Sequence, residues 1–169
     1  GLTLQDKGDT EGALRSYRRA LERNPLNILA HQELNKLLYR LGRDREFLVS
    51  LDEAATKHPT AASPALLKAD FLFKTGRLAE AASEFERARR LMPHPILPLD
   101  MLGVVHARLG QFDESIRKHE QATELAPENA QAWTNFAEDW LRAGDPERAQ
   151  NAAERALSIT PNQQMAIAA

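Results

Sequence analysis

RLGQFDESIRKHEQATELAP occupies residues 108–127, and KTGRLAEAASEFERARRLMP occupies residues 74–93. The two align without a gap at an offset of 34 residues, with His119 standing where the earlier copy has Phe85. The same offset extends outward from them. Glycines fall at 8, 42, 76, 110 and 144, prolines at 25, 59, 93, 127 and 161, and alanines at 20, 54, 88, 122 and 156. Three residue types held in one register through five copies define a repeat array.

Each of the three has a physical task. Glycine ends a first helix where the backbone must turn left-handed or open. Proline stops a second helix, because it donates no hydrogen bond to the ladder. Alanine keeps a side chain small where two helices cross at about 8–10 Å. Between these marks the apolar residues follow helical spacing. Leu34, Leu37, Leu38 and Leu41 share a face, as do Leu102, Val105, His106 and Leu109. In the second helices Leu14, Tyr17 and Leu21 align, and so do Ile116, His119 and Thr123. Asp145-Pro146 and Ser63-Pro64 read as a cap followed by proline at the first helical position. The spacing predicts helices near 12–23, 28–41, 45–57, 64–75, 79–91, 97–109, 113–125, 130–143 and 147–159.

The pattern resembles the tetratricopeptide repeat, a helix–turn–helix unit of about 34 residues with the signature W-x2-L-G-x2-Y, A-x3-F, P. The fourth copy reads Leu99, Leu102, Gly103, His106, then Ser115, His119 and Pro127. The fifth reads Trp133, Phe136, Ala137, Trp140, then Ala149, Ala153 and Pro161. Ala13 with Tyr17, and Ala81 with Phe85, complete the second half of the first and third copies, whereas Phe47 with Leu51 is the loosest match. The resemblance implies an all-α, right-handed superhelix of about five hairpins, forming one array over residues 1–169. It also implies a protein-interaction scaffold, not an enzyme, that holds a partner segment in the concave groove made by the first helices.

In that register the groove is lined by Gln32, Lys36, Tyr39 and Arg40, then Leu66, Asp70, Phe73 and Lys74. Asp100, Val104 and Arg108 follow, and Thr134, Glu138, Leu141 and Arg142 complete it. Arg40, Lys74, Arg108 and Arg142 recur once per copy. Two readings of this basic ladder stand side by side. It attracts an acidic peptide or a carboxylate terminus, or each cation complements the dipole at a helix C-terminus, a gain of about 0.3–1 kcal/mol. The Lys–Asn–Arg set with which some chaperone-binding members grip a terminal carboxylate is not expected, since Leu67, Leu97 and Met101 occupy the corresponding places.

Composition excludes several other classes. A formal net charge of −2 supplies no field that would draw the chain to nucleic acid or a membrane surface. With no cysteine there is neither a disulfide nor thiolate chemistry. No apolar run approaches the roughly 20 residues of a membrane span, and no signal peptide opens the sequence, so a cytoplasmic location is expected. No cofactor or metal is expected either. His31-x-Glu33 has the form of an iron-ligand pair, but residues two apart on a helix diverge. His106 and His119 stand in aromatic slots of one repeat. They read as imidazoles packed there with hydrogen bonds to neighbours, since a metal needs further ligands. MPHPILP, residues 92–98, reads as a stiffened turn, with a proline-rich ligand as the alternative. Both termini fall within a repeat. Uncapped ends are expected to leave Met165 and Ile167 poorly covered and to favour self-association. Finally, residues 24–48 and the closing PNQQMAIAA are similar to arrays that precede 2-oxoglutarate, iron-dependent oxygenase-like domains in bacteria. That gives the alternative of a positioning array within a larger enzyme.

Overall fold

The computed structural model describes residues 9–160. Among these residues the chain forms nine α-helices and no strand. They are α1 (Thr10–Arg23), α2 (Ile28–Arg40), α3 (Val49–Lys57), α4 (Ser63–Lys74), α5 (Leu78–Leu91), α6 (Ile96–Arg108), α7 (Phe112–Leu125), α8 (Ala130–Arg142) and α9 (Pro146–Ile159). In the repeat register α2, α4, α6 and α8 are first helices, and the others are second helices. Gly8, Pro161, Met165 and Ile167, and with them the expectation about uncovered ends, lie outside the described residues.

The registered glycines do what the spacing predicts. Gly42, Gly76, Gly110 and Gly144 have φ of 64°, 78°, 73° and 82°. The next N–H in each case returns to a carbonyl five residues back, from Arg43 to Leu38, Arg77 to Leu72, Gln111 to His106 and Asp145 to Trp140. This bond closes orphan carbonyls at the helix end. Nothing lies within 4 Å of a Cβ built at any of the four, so backbone conformation rather than crowding selects glycine.

Helix starts are capped where the sequence offers a short polar side chain. Asp9 accepts from the Gly12 N–H at 2.8 Å, Asn27 from Ala30 at 3.0 Å and Asn129 from Ala132 at 3.3 Å. Asp145 accepts from Arg148 at 3.0 Å, with Pro146 at the first turn, as expected. Ser63 is instead the first residue of α4 itself. In MPHPILP, Pro95 caps α6 and Pro98 is buried in its first turn, where no N–H is missed.

One helix departs from its expected span. The spacing predicts a second helix from residue 45, but α3 begins at Val49. Tertiary contacts override the local preference. The Asn35 side chain accepts the Leu48 N–H at 2.7 Å, and Leu48 adopts a left-handed φ of 68°. Phe47 packs its ring 5.5 Å from Tyr39 and 5.8 Å from Phe71. Arg43 reaches Glu46 at 2.6 Å and Glu11 at 2.7 Å, and Arg18 also pairs with Glu46.

Contacts divide the chain within α4, after Phe71. In the first unit Ala13, Leu14 and Tyr17 of α1 interlock with Leu34, Leu37 and Leu38 of α2, with Leu21 against them. In the second unit Leu99, Ala122 and Ala132 bring α6, α7 and α8 together. The registered alanines Ala54, Ala88, Ala122 and Ala156 are all buried, and Ala20 is half-buried. Leu41 and Leu109, expected on buried faces, are 44% and 39% exposed. Each sits at the C-cap just before a turning glycine, where the chain has left the packed face.

Candidate functional site

In the second unit a cleft of about 370 Å³ opens beside the first helices. Val104, Ala107 and Arg108 of α6 and Asn135, Glu138, Asp139 and Arg142 of α8 line it, with His119 of α7. Val104, Arg108, Glu138 and Arg142 were predicted as groove residues from the register. Asn135 was missed, although its spacing of three and seven residues from Glu138 and Arg142 sets it on their stripe. Asp139 was missed as well.

Asp139 and His119 form the floor. Both are essentially inaccessible, at 0% and 1% exposure. His119 Nδ1 lies 2.6 Å from Asp139 Oδ2, and its Nε2 lies 3.1 Å from the Asp100 carbonyl oxygen and 3.7 Å from the Asp100 carboxylate. The carbonyl only accepts, so Nε2 carries a hydrogen. The Ser115 hydroxyl, also buried, contacts both the Gly103 carbonyl and the same carboxylate oxygen. Ser115, His119 and Asp139 share no nucleophile geometry. Serine and histidine both address the carboxylate, and the serine is 0% exposed. His119 therefore fills the aromatic slot as expected, and its hydrogen bonds also hold a buried carboxylate on α8.

The ring fits because residue 103 has no side chain. A Cβ at Gly103 would stand 2.3 Å from His119 Nε2 and 2.6 Å from Cδ2. The glycine expected from the repeat signature here admits an imidazole. His106 Nδ1 bonds Gln111 Oε1 at 2.7 Å. Among the described residues no group of three His, Asp or Glu is placed to hold a metal ion.

The rim carries the charges. Arg142 reaches Glu138 at 3.0 Å and comes within 3.8 Å of Asp139 Oδ1, which has no hydrogen-bond partner. The Arg108 guanidinium lies over the Phe73 ring, 4.1 Å from its centroid. Asp100 accepts from Asn135 Nδ2 at 2.6 Å. Thr134 is exposed and turns its hydroxyl back to the Ala130 carbonyl at 2.9 Å, and Leu141 is 62% exposed. Lys74 ends α4 and is exposed.

In the first unit Gln32, Lys36, Tyr39 and Arg40 lie on α2, and Leu66 and Asp70 on α4. Gln32, Leu66 and Asp70 are half-buried, and Tyr39 is 53% exposed. Lys36 pairs with Glu33 at 2.8 Å. His31 is buried, with Nε2 2.8 Å from the Pro25 carbonyl and Nδ1 3.0 Å from Ser50 Oγ. Burial pushes the His31 imidazolium below its ordinary pKa, against a smaller opposing effect of the Pro25 carbonyl. Arg40, Lys74, Arg108 and Arg142 each stand in the last turn of a first helix, where a cation complements the dipole.

Helix hairpins stopped by left-handed glycines and packed through alanines, with polar first-helix faces left open, define a class. It is an all-α repeat array whose fold is typical of protein–protein interaction scaffolds and generally non-catalytic. The sequence model of the tetratricopeptide repeat matches residues 1–62, 48–94 and 101–163, and the chain belongs to that family. A TPR repeat-containing protein of Methanocaldococcus jannaschii, MJ1428, is 24% identical over 158 residues; these span 93% of this chain but only 28% of that relative. Among solved structures, MamA superposes with a TM-score of 0.73 at 21% identity, covering 96% of this chain and 95% of that one. PilW, described as a type IV pilus biogenesis factor, gives 0.67 at 21%, covering 95% and 74%. TTC0263, a TPR protein of Thermus thermophilus, gives 0.62 at 23%, covering 95% and 88%. At these identities the likeness is one of fold. Among the described residues no helix is long and apolar enough to cross a membrane.

Proposed function

We propose that the chain is a protein-interaction scaffold whose first-helix faces take up a partner segment, with the cleft beside α6 and α8 as its main anchor for acidic side chains. The supporting observation is the composition of that cleft. Arg108 and Arg142 stand at its rim, with Glu138 the opposing exposed charge. His119 and Asp139 form a paired floor. An incoming carboxylate gains Arg108 and competes with Glu138 for Arg142, and the planar guanidinium suits two-point recognition. Asn135 forms part of the wall, with its amide bonded to Asp100 and Gln131. The exposed cations contribute modestly one by one, so recognition rests on several together. The alternative, a positioning array of a larger enzyme, would use the same faces.

The test is a titration with a blocked Ala-Glu-Ala-Glu-Ala peptide and its Gln counterpart, followed by amide shifts of α6 and α8. Binding of the Glu peptide alone, lost when Lys74 and Arg108 are both changed to Glu with helicity intact, supports the reading. Equal shifts with both peptides, or affinity unchanged in the double variant, overturns it.

A further inference from the structure

A second cleft, of about 630 Å³, lies on the other side of α8. At 100° per residue, Trp133, Phe136 and Trp140 project away from Thr134, Glu138 and Arg142. The three rings form a continuous run, with centroids 6.1 Å and 5.8 Å apart, and all remain half-exposed. The Trp133 indole is fixed by its N–H to the Pro127 carbonyl at 3.0 Å. Glu120 of α7 and Arg148, Asn151, Ala152 and Arg155 of α9 line the remaining walls.

The preceding copy shows what fills the equivalent place. There Glu86 of α5 is held by Lys118 of α7, whose side chain is only 17% exposed, and by Arg89 at 2.7 Å. Burial pushes the Glu86 carboxyl up, but its hydrogen bonds and attraction to Lys118 and Arg89 outweigh this and keep it below the usual carboxylate range. Thirty-four residues on, Glu86 becomes Glu120, Lys118 becomes Ala152 and Arg89 becomes Thr123. Glu120 has thus kept its charge and lost both cations. Meanwhile the slots of Leu99 and Leu102, buried in the fourth copy, are filled by the larger Trp133 and Phe136.

We infer that this cleft binds a lysine side chain presented by a partner protein, with its ammonium at Glu120 and its methylene stem along Trp133, Phe136 and Trp140. An ammonium near an aromatic face is attracted by the ring quadrupole, and a lysine stem covers apolar surface while its head stays polar. Two arginines share the lining, and each has an acidic partner outside the cleft: Arg148 stacks 4.5 Å from the Trp140 centroid and pairs with Asp145 at 3.3 Å, and Arg155 pairs with Glu128 at 3.2 Å. The site is distinct from the cleft of the acidic segment, with opposite charge preference and on the opposite face of the helix.

Trp133 and Trp140 are the two tryptophans of the chain, so intrinsic fluorescence reports on this cleft directly. The experiment titrates blocked Ala-Ala-Lys-Ala-Ala, and the same peptide with acetyllysine, into the protein, the Glu120→Gln variant and the Ala152→Lys variant. Expected are a saturable emission change with lysine only, about fivefold weaker binding in Glu120→Gln, and no response in Ala152→Lys, where the chain fills its own slot. Glu120 is exposed, so its variant stays informative if Ala152→Lys misfolds. Equal responses to lysine and acetyllysine, or unchanged affinity in Glu120→Gln, overturn the inference. So does an emission that shifts with protein concentration alone, which makes a second copy the occupant.

Discussion

Two buried histidines in this chain use their ring nitrogens differently, and the neighbours decide which. His31 meets one acceptor, the Pro25 carbonyl, and one hydroxyl, that of Ser50, which in turn accepts from Asn35 at 3.2 Å. A neutral ring with hydrogen on Nε2 satisfies all of them. Its pKa is lowered by burial, so below about 6.5 the unfolded chain binds more protons than the folded one. The stability contributed by neutral His31 is full above that value and is lost as pH falls toward the folded pKa. Thermal melts at about pH 7.5 and pH 5.5 should therefore show a smaller acid-induced drop in His31→Gln than in the parent; an identical drop would remove His31 from the account. His119, in contrast, faces acceptors on both sides and is pinned by them. Replacing glycine with alanine inside a helix ordinarily stabilises by up to about 1 kcal/mol. At Gly103 the sign reverses, because the new Cβ meets a ring that two hydrogen bonds hold in place. We expect Gly103→Ala to cost about 1–3 kcal/mol in denaturant unfolding of the parent, and to cost much less when it is introduced into a His119→Ala background, so that the two changes couple in a double-mutant cycle. A neutral or stabilising Gly103→Ala would show that the ring can yield.

At the scale of the helix, the sequence is legible wherever local chemistry and packing agree. The glycine and proline registers delimit the hairpins because they act through the backbone, which needs no partner to be read. The apolar stripes Leu34–Leu37–Leu38 and Ile116–His119–Thr123 are buried for the same reason. Legibility fails at residues 45–48, whose composition suits a helix but whose backbone is claimed by Asn35 and by the rings of Tyr39 and Phe71. Those contacts are tertiary, and spacing within the segment carries no trace of them. The cleft beside α6 and α8 divides similarly. Register alone places Val104, Arg108, Glu138 and Arg142 in it, and heptad spacing adds Asn135. Asp139 reads as one more solvated charge on a helix until His119, 20 residues earlier, is seen to cover it.

Over the whole chain, repeats confer a nearest-neighbour character, in which stability is close to a sum of hairpin terms and interface terms. Local damage should then stay local on the scale of hydrogen exchange. Ala122 allows this to be measured, because it is fully buried against Leu99 and Ala132 and so joins three helices of the second unit. Leucine at that position adds three carbons where none fit, and overpacking of this kind costs about 1–3 kcal/mol. Amides of α6, α7 and α8 in Ala122→Leu should exchange about 5- to 150-fold faster wherever they open through that unit, since each 1.4 kcal/mol is a factor of ten. Amides protected by the Leu14–Tyr17–Leu34–Leu38 cluster in α1 and α2 should change much less. A uniform acceleration from α1 to α9 would mean that the chain opens as one cooperative body, and unchanged exchange around Ala122 would mean that the helices there do not cross as closely as its burial requires.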